Sequence, residues 1–318
     1  MQLIHPGPEE ALLCLRAVRH AVARSGVLPP AARALMEAAK ASVLNVDADL
    51  DALAPITPAE LAAGLHTPGL RDQVIQAMIV AVLADGEPDP DCFARVESLA
   101  AALGVTTPAL HTVRLLCEHH TLLCRLDWLR RSHIKDMLVD QYRHHGGLRG
   151  AAEGVLGMRG MLEDPAIAKR YVALGDLPPD TLGHAFFRHY RDNGFAFPGE
   201  KFGFPEAGVY HDFSHVLAGY GTTPQGEHCV AGFQAGYKRV NPFYVILLAA
   251  FSFGAGTNVT PLPQPQVTGI LAEPGLAARF IESVERGSRV NTDLSDNWDF
   301  WPLLPLPLDE ARRRLNVT

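Results

Sequence analysis

The sequence predicts an all-α protein of two helical domains, on three observations. At 318 residues the chain is about twice the usual size of a single domain. From Glu9 to about His145 its apolar residues recur at helical spacing, with Pro and Gly falling between the periodic stretches. The paired glycines of YRHHGGLRG, residues 142–150, then break a long helical pattern, and beyond them Gly, Pro and aromatic residues become denser. The expected domains are 1–145 and 146–318.

Taken in order, the first helix runs from Glu9 to Ser25 and stops at Gly26. The second, Pro30 to Asn45, opens on Pro29-Pro30 and is rich in Ala, a strong helix former. A short third lies near Ala59 to Leu65, after the loop DALAPITP. In RDQVIQAMIVAVLADGE, Val74, Ala77, Met78, Ala81 and Val82 keep helical spacing until Asp85-Gly86. DPDCFARVESLAAALGV restarts behind Asp89 or Asp91 as N-cap, with Phe93, Val96, Leu99 and Leu103 on one face. The two form a helical hairpin. Its LADGEPDPD turn and AALGV ending resemble the TerB-like (tellurite-resistance) helical domain over about 35 residues. The acidic turn of Asp85, Glu87, Asp89 and Asp91 reads as a capped, solvated turn, because it lacks the spacing and terminal bidentate Glu of an EF-hand cation loop.

Composition excludes some function classes. A net charge of -7 and the absence of a long basic run speak against a nucleic-acid partner. The most basic stretch carries Arg125, Arg130, Arg131, Lys135 and Arg143 interleaved with Asp127, Asp136 and Asp140, the pattern of a solvated helix face rather than an anionic-membrane patch. The five cysteines form no CxxC pair, which points to buried thiols in a reducing compartment, and Cys117 and Cys124, one heptad apart, are expected in the core. Met1 to Glu10 shows no secretory signal, so the expected location is cytoplasmic. The longest apolar run, FYVILLAAFSF from Phe243 to Phe253, falls short of the ~20 residues that span a bilayer.

The most unusual chemistry lies in VYHDFSHVLAGYGTTPQGE, residues 209–227. In a helix His211 and His215 stand one turn apart on one face, with Asp212 three residues before His215. Glu227 follows His215 by twelve residues, and an unbroken helix would turn it about 120° off that face. Gly219, Gly221 and Pro224 predict a break instead: one helix ends near Gly219, another begins at Thr223-Pro224, and an antiparallel return brings Glu227 back toward the histidines. Two imidazoles with one or two carboxylates suit Zn2+, Fe2+ or Mn2+. Spacing alone leaves a metal site and a chance histidine pair evenly balanced, since the chain holds fourteen histidines.

The order His211, Asp212, His215, Gly219, Gly226, Glu227 resembles the Coq4 family of ubiquinone-biosynthesis proteins, whose signature is HDxxH followed by Gly and then Gly-Glu. The likeness extends upstream through LEDPAIAKRYVALGDLPPDTLGHAFFRHYRDNGF and downstream through ERGSRVNTDLSDNWDFWPLLPLPLDEARRRLNV, covering roughly Ala151 to Thr318. It implies an all-helical domain with a divalent metal, most often zinc, on His211, Asp212, His215 and Glu227. It also implies a prenylated hydroxybenzoate or related aromatic acid as substrate, whose carboxyl group is lost and replaced by hydroxyl. Zinc does not by itself activate dioxygen, so either the electron-rich ring reacts with oxygen or the native metal is another. Tyr210, beside a ligand, is the candidate catalytic residue; His184, Arg188, His189, Arg191, Lys238 and Arg239 are further candidates for holding the head group. Phe186, Phe187, Tyr190, Phe195, Phe197 and the run from Asn241 to Gly256 are candidate walls for the tail, though core packing is the better reading of each.

The helical first half and the segment GEHCVAGFQAGYKRVNP depart from the family pattern and leave the substrate open. A non-catalytic, lipid-binding scaffold with a structural metal, serving a biosynthetic complex, is the competing reading. A phosphohydrolase of the HD type is disfavoured, because it calls for a further upstream His and a distant Asp. Biosynthetic protein partners, peripheral membrane contact and a homo-oligomer are the remaining expectations.

Overall fold

A computed structural model describes residues 1–132, 163–260 and 265–318. Among them are fourteen α-helices and no strand, so the fold is all-α as expected. In chain order they are α1 (Pro8–Val22), α2 (Pro30–Ala39), α3 (Pro58–Gly64), α4 (Leu70–Leu83), α5 (Pro90–Leu103), α6 (Pro108–Cys117) and α7 (Thr121–Arg131). There follow α8 (Pro165–Val172), α9 (Leu182–Asn193), α10 (Tyr210–Ala218), α11 (Pro224–Tyr237), α12 (Phe243–Ala249), α13 (Leu276–Ser288) and α14 (Leu308–Leu315). No described helix is long and apolar enough to cross a membrane.

The chain divides into two compact units, Met1–Trp128 with Phe243–Glu285, and Leu129–Pro242 with Arg286–Thr318. The expected boundary at 145/146, its glycine pair, and the basic residues Lys135 and Arg143 lie outside the described residues. The second domain is not the continuous run 146–318 read from the sequence, because residues 243–285 pack with the first unit. The reason is physical. FYVILLAAFSF is apolar on every side and needs a partner that can cover it, and α12 with the π-helical turn Ala250–Gly254 finds one in α4.

In the first unit α4 is the central element, with Ile75, Met78, Ile79 and Leu83 fully buried and α1, α2, α5 and α12 packed around it. The hairpin of α4 and α5 forms as expected, and its acidic turn is spent on capping. Asp89 accepts from the Cys92 amide at 2.9 Å, while Asp85 accepts from the Ala31 and Ala32 amides at 2.7 and 2.8 Å and so caps α2. The second helix is shorter than expected as a regular α-helix, since Lys40–Leu44 continue it as a π-helical turn that ends at left-handed Asn45. Of the cysteines expected in the core, Cys124 is buried and Cys117 is half-buried, because a break between α6 and α7 ends the heptad relation.

The second unit is built on an aromatic core. The rings of Phe186 and Phe213 stack with centroids 4.2 Å apart, Phe213 lies 4.7 Å from Phe300, and Trp298 meets Phe213 edge-on. Phe186, Tyr190 and Phe197 belong to this core, whereas Phe195 is exposed, so the upstream aromatics are mainly packing material. Helix α10 lies against α9 on one side and α11 on the other. From α14, Arg312 donates to the carbonyls of Leu217 and Val216 at 2.9 and 3.2 Å, a cation at the C-terminal end of α10.

Candidate metal centre

The turn between α10 and α11 sets the site. Helix α10 ends at Ala218 because Gly219 is left-handed (φ 76°), and α11 starts at Pro224 behind Thr223, whose hydroxyl accepts from the Gly226 amide at 3.3 Å. Gly226 must lack a side chain, since a Cβ there would collide with the carbonyl of Gly221. The helices return against one another as expected, and Glu227 in the first turn of α11 comes back over the face that carries His211 and His215.

Three side chains converge. Nε2 of His211 and Nε2 of His215 are 3.3 Å apart. Glu227 turns one carboxylate oxygen to each ring, Oε2 to His211 and Oε1 to His215, both at 3.3 Å. All three donor groups lie within 4.8 Å of one another. The outer contacts orient the rings. His215 Nδ1–H donates to the Tyr220 carbonyl at 3.1 Å, which leaves a neutral ring's lone pair on Nε2, facing the cluster. The Gln234 amide sits 3.0 Å from His211 Nδ1.

Asp212 is not brought into this group. Successive helical residues point about 100° apart, and its carboxylate turns toward α9, where Oδ2 accepts from the Tyr190 hydroxyl at 2.6 Å and Oδ1 lies 3.8 Å from His189 Nε2. His189 in turn stacks on His215, with ring centroids 5.3 Å apart. Tyr210, the candidate catalytic residue, packs against the aromatic core, and burial with the charge of Asp293 pushes its phenol far above the usual range. Of the other head-group candidates, Lys238 donates to Ser295 at 2.8 Å and the Arg239 amide to Asp293 at 2.8 Å, both structural contacts.

The electrostatics are those of a tightly coupled cluster. Burial alone would lower the His211 imidazole, but the hydrogen bond and charge of Glu227 outweigh it and hold it up at about 9. Burial would raise the Glu227 carboxyl, yet His211 and His215 hold it well below the usual range. Asp212 is also held low against its burial, by His189, His211 and Tyr190. Burial and the Asp212 charge push the Tyr190 phenol well up, so it remains a donor.

Two contributors escaped the sequence reading. Gln234 lies seven residues after Glu227, two turns along the same face of α11, and that spacing was the available signal. The hydroxyl of Tyr190 had none, because its tie to Asp212 spans two helices and 22 residues. Within the second unit the downstream motif supports the site: Arg286 donates to the Tyr220 hydroxyl at 2.8 Å and to the Ala218 carbonyl at 3.2 Å, bracing the turn that holds His215.

No family model matches the sequence, and no curated protein does. Among solved structures, the chain is similar to the crystal structure of a "Putative ubiquinone biosynthesis protein" from Nostoc punctiforme, with 17% identity and a TM-score of 0.33 over 80% of this chain and 100% of that one.

Proposed function

We propose that this protein is a metal-dependent enzyme of the Coq4 type, which replaces the carboxyl group of a prenylated hydroxybenzoate or related aromatic acid with hydroxyl: the ring–carboxyl bond breaks with release of carbon dioxide, and dioxygen accepts the two electrons and leaves as hydrogen peroxide. The observation that carries the reading is the convergence of His211, His215 and Glu227, at equal 3.3 Å separations, from the two helices that hold the HDxxH and Gly-Glu elements. The two ring nitrogens are spaced as neighbouring donors on a tetrahedral zinc are, roughly 3.3–3.4 Å apart for bonds of about 2.0–2.1 Å, and the Glu227 carboxylate stands within reach of both, which supports a divalent ion of that size. Two histidines and one glutamate are also a donor set that leaves a fourth position for an oxygen ligand.

Held by His211, His215 and Glu227, a divalent cation would supply a Lewis acid for the substrate's carboxylate or phenolate oxygen and for negative charge developing on the ring. The chain's own groups prepare that role. The Tyr220 carbonyl fixes the His215 tautomer, and Gln234 addresses the far nitrogen of His211. Ligation through His211 Nε2 calls for the Gln234 amide to turn its oxygen toward the ring and accept Nδ1–H. Asp212, with Tyr190, orients α10 against α9 from outside the donor set.

Elemental analysis of purified protein tests this reading. About one divalent ion per chain is expected, lost in the His211→Ala, His215→Ala double variant and kept in Asp212→Asn. Full occupancy in the double variant overturns the metal assignment, and loss in Asp212→Asn returns the aspartate to the ligand set. Mass spectrometry of a prenylated hydroxybenzoate incubated with the metal-loaded protein and air checks the reaction. A product lacking carboxyl and carrying hydroxyl at the same ring carbon is expected, and an unchanged substrate favours the scaffold reading.

A further inference from the structure

The first unit carries a half-open apolar pocket of about 140 Å3. Its walls come from five helices and one π-helical turn, with Leu15 on α1, Met36 on α2, Val43 in the π turn, Val74 on α4, Ile246 on α12 and Ile281 on α13. None of the lining side chains is charged, and the only amides are those of Gln73 and Gln76 on α4. Native interiors pack like organic crystals, with few voids larger than a water molecule. A pocket of this size leaves its wall atoms short of dispersion partners, which an apolar occupant supplies.

One side of the cavity is closed by a segment that is not helical. Met1 and Leu3 line it, and among the contacts that hold the segment the Ile4 amide donates to Gln73 at 2.7 Å, the Gln73 amide donates to the Ile4 carbonyl at 2.9 Å, and His5 Nδ1–H donates to the Val43 carbonyl at 3.0 Å. Such a strap lifts at the cost of a few hydrogen bonds, without opening any helix. The pocket thus has a wall without a charged side chain, a volume of molecular size and a cover that can move.

We infer that this cavity is a binding site for one uncharged apolar chain end, straight or methyl-branched, that enters under the Met1–Gly7 strap and leaves its polar end at Gln76. Its volume matches an occupant about as bulky as benzene, which an engineered apolar cavity of about 150 Å3 takes up. An ionised head group is disfavoured, because no lining side chain is charged. This site lies in the first unit and does not depend on the metal reading of the second.

Calorimetric titration of the full chain with 1-octanol, geraniol and octanoate tests the inference. Saturable binding of one octanol or one geraniol per chain is expected, and which of the two binds more tightly tells straight from branched chains. Octanoate is expected to bind at least tenfold more weakly. Ala77→Leu on α4 and Ala39→Leu at the end of α2 place new methyl groups into the cavity; each is expected to weaken binding at least tenfold while raising the Tm of the ligand-free protein. If one variant fails to fold, the other carries the test. Absence of saturable binding by both alcohols overturns the site, as does unchanged affinity in a folded filled variant, and octanoate binding equal to that of octanol overturns the exclusion of charge.

Discussion

His228 follows Glu227 in α11 yet is 1% exposed, and burial brings its imidazole down to about 4. In the unfolded chain the same ring titrates near 6.5. Between these values the unfolded state binds more protons than the folded one, so stability falls as pH drops from 6.5 to 4. The full effect is on the order of 3 kcal/mol by linkage. Glu227 acts in the same direction at lower pH, since its depressed carboxyl contributes stability above 4.5 that is lost as pH falls. His211 acts oppositely: held at about 9, it stabilises the metal-free fold below 6.5 and loses that contribution as pH rises through about 9. His228→Gln removes the first contribution and leaves His211 and Glu227 in the sequence. Urea unfolding of the metal-free protein between pH 4 and 6.5 is therefore expected to show a shallower pH slope in the variant than in the wild type, and an equal slope would place the acid lability elsewhere. Residue identity alone showed that these groups are titratable. It could not show which way they point, and Asp212 is the plain case, because a partner on α9 decides it.

At the scale of elements, glycines decide how closely the helices of the second unit approach. Gly287 of α13 lies against α11, where a Cβ would collide with the carbonyl of Phe233 and crowd Gly236. Both contacts are backbone, so no side chain can swing aside. Gly287→Ala is expected to cost about 1–3 kcal/mol, the usual penalty of overpacking, and to disturb the bonds by which Arg286 braces the turn after α10. Gly221→Ala, in open space within that turn, is the matched control, expected within about 0.5 kcal/mol of wild type. Urea midpoints compare the two, and equal midpoints would remove the close-approach argument. Much of this architecture was legible, since Gly219, Thr223 and Pro224 punctuate the chain where α10 stops and α11 starts. The depth of the helix crossing was not, because Arg286-Gly287 carries no local sign of its partner 54 residues earlier.

For the whole molecule, the legible signal was the change in texture near residue 145, and it misled about how the chain is shared. Sequence periodicity records that a helix has an apolar face but not which helix covers it. The first unit draws Phe243, Ile246, Phe280, Ile281 and Val284 from beyond the second unit's site to close its cavity wall. Burying each such side chain contributes about 1.5–3 kcal/mol, and five together reach roughly 8–15 kcal/mol. That is as large as the entire margin of a typical domain, about 5–15 kcal/mol. A fragment of residues 1–145 is therefore expected to unfold without cooperativity and to bind the apolar dye ANS. The two stretches of the first unit also approach each other where they are cut, since the Trp128 indole N–H donates to the Tyr244 carbonyl at 3.3 Å. A fusion of residues 1–128 to 243–285 through a short Gly-Ser linker should accordingly give one sharp thermal transition and no dye binding. A cooperative transition in the 1–145 fragment equal to that of the fusion would show that α12 and α13 are dispensable to the first unit.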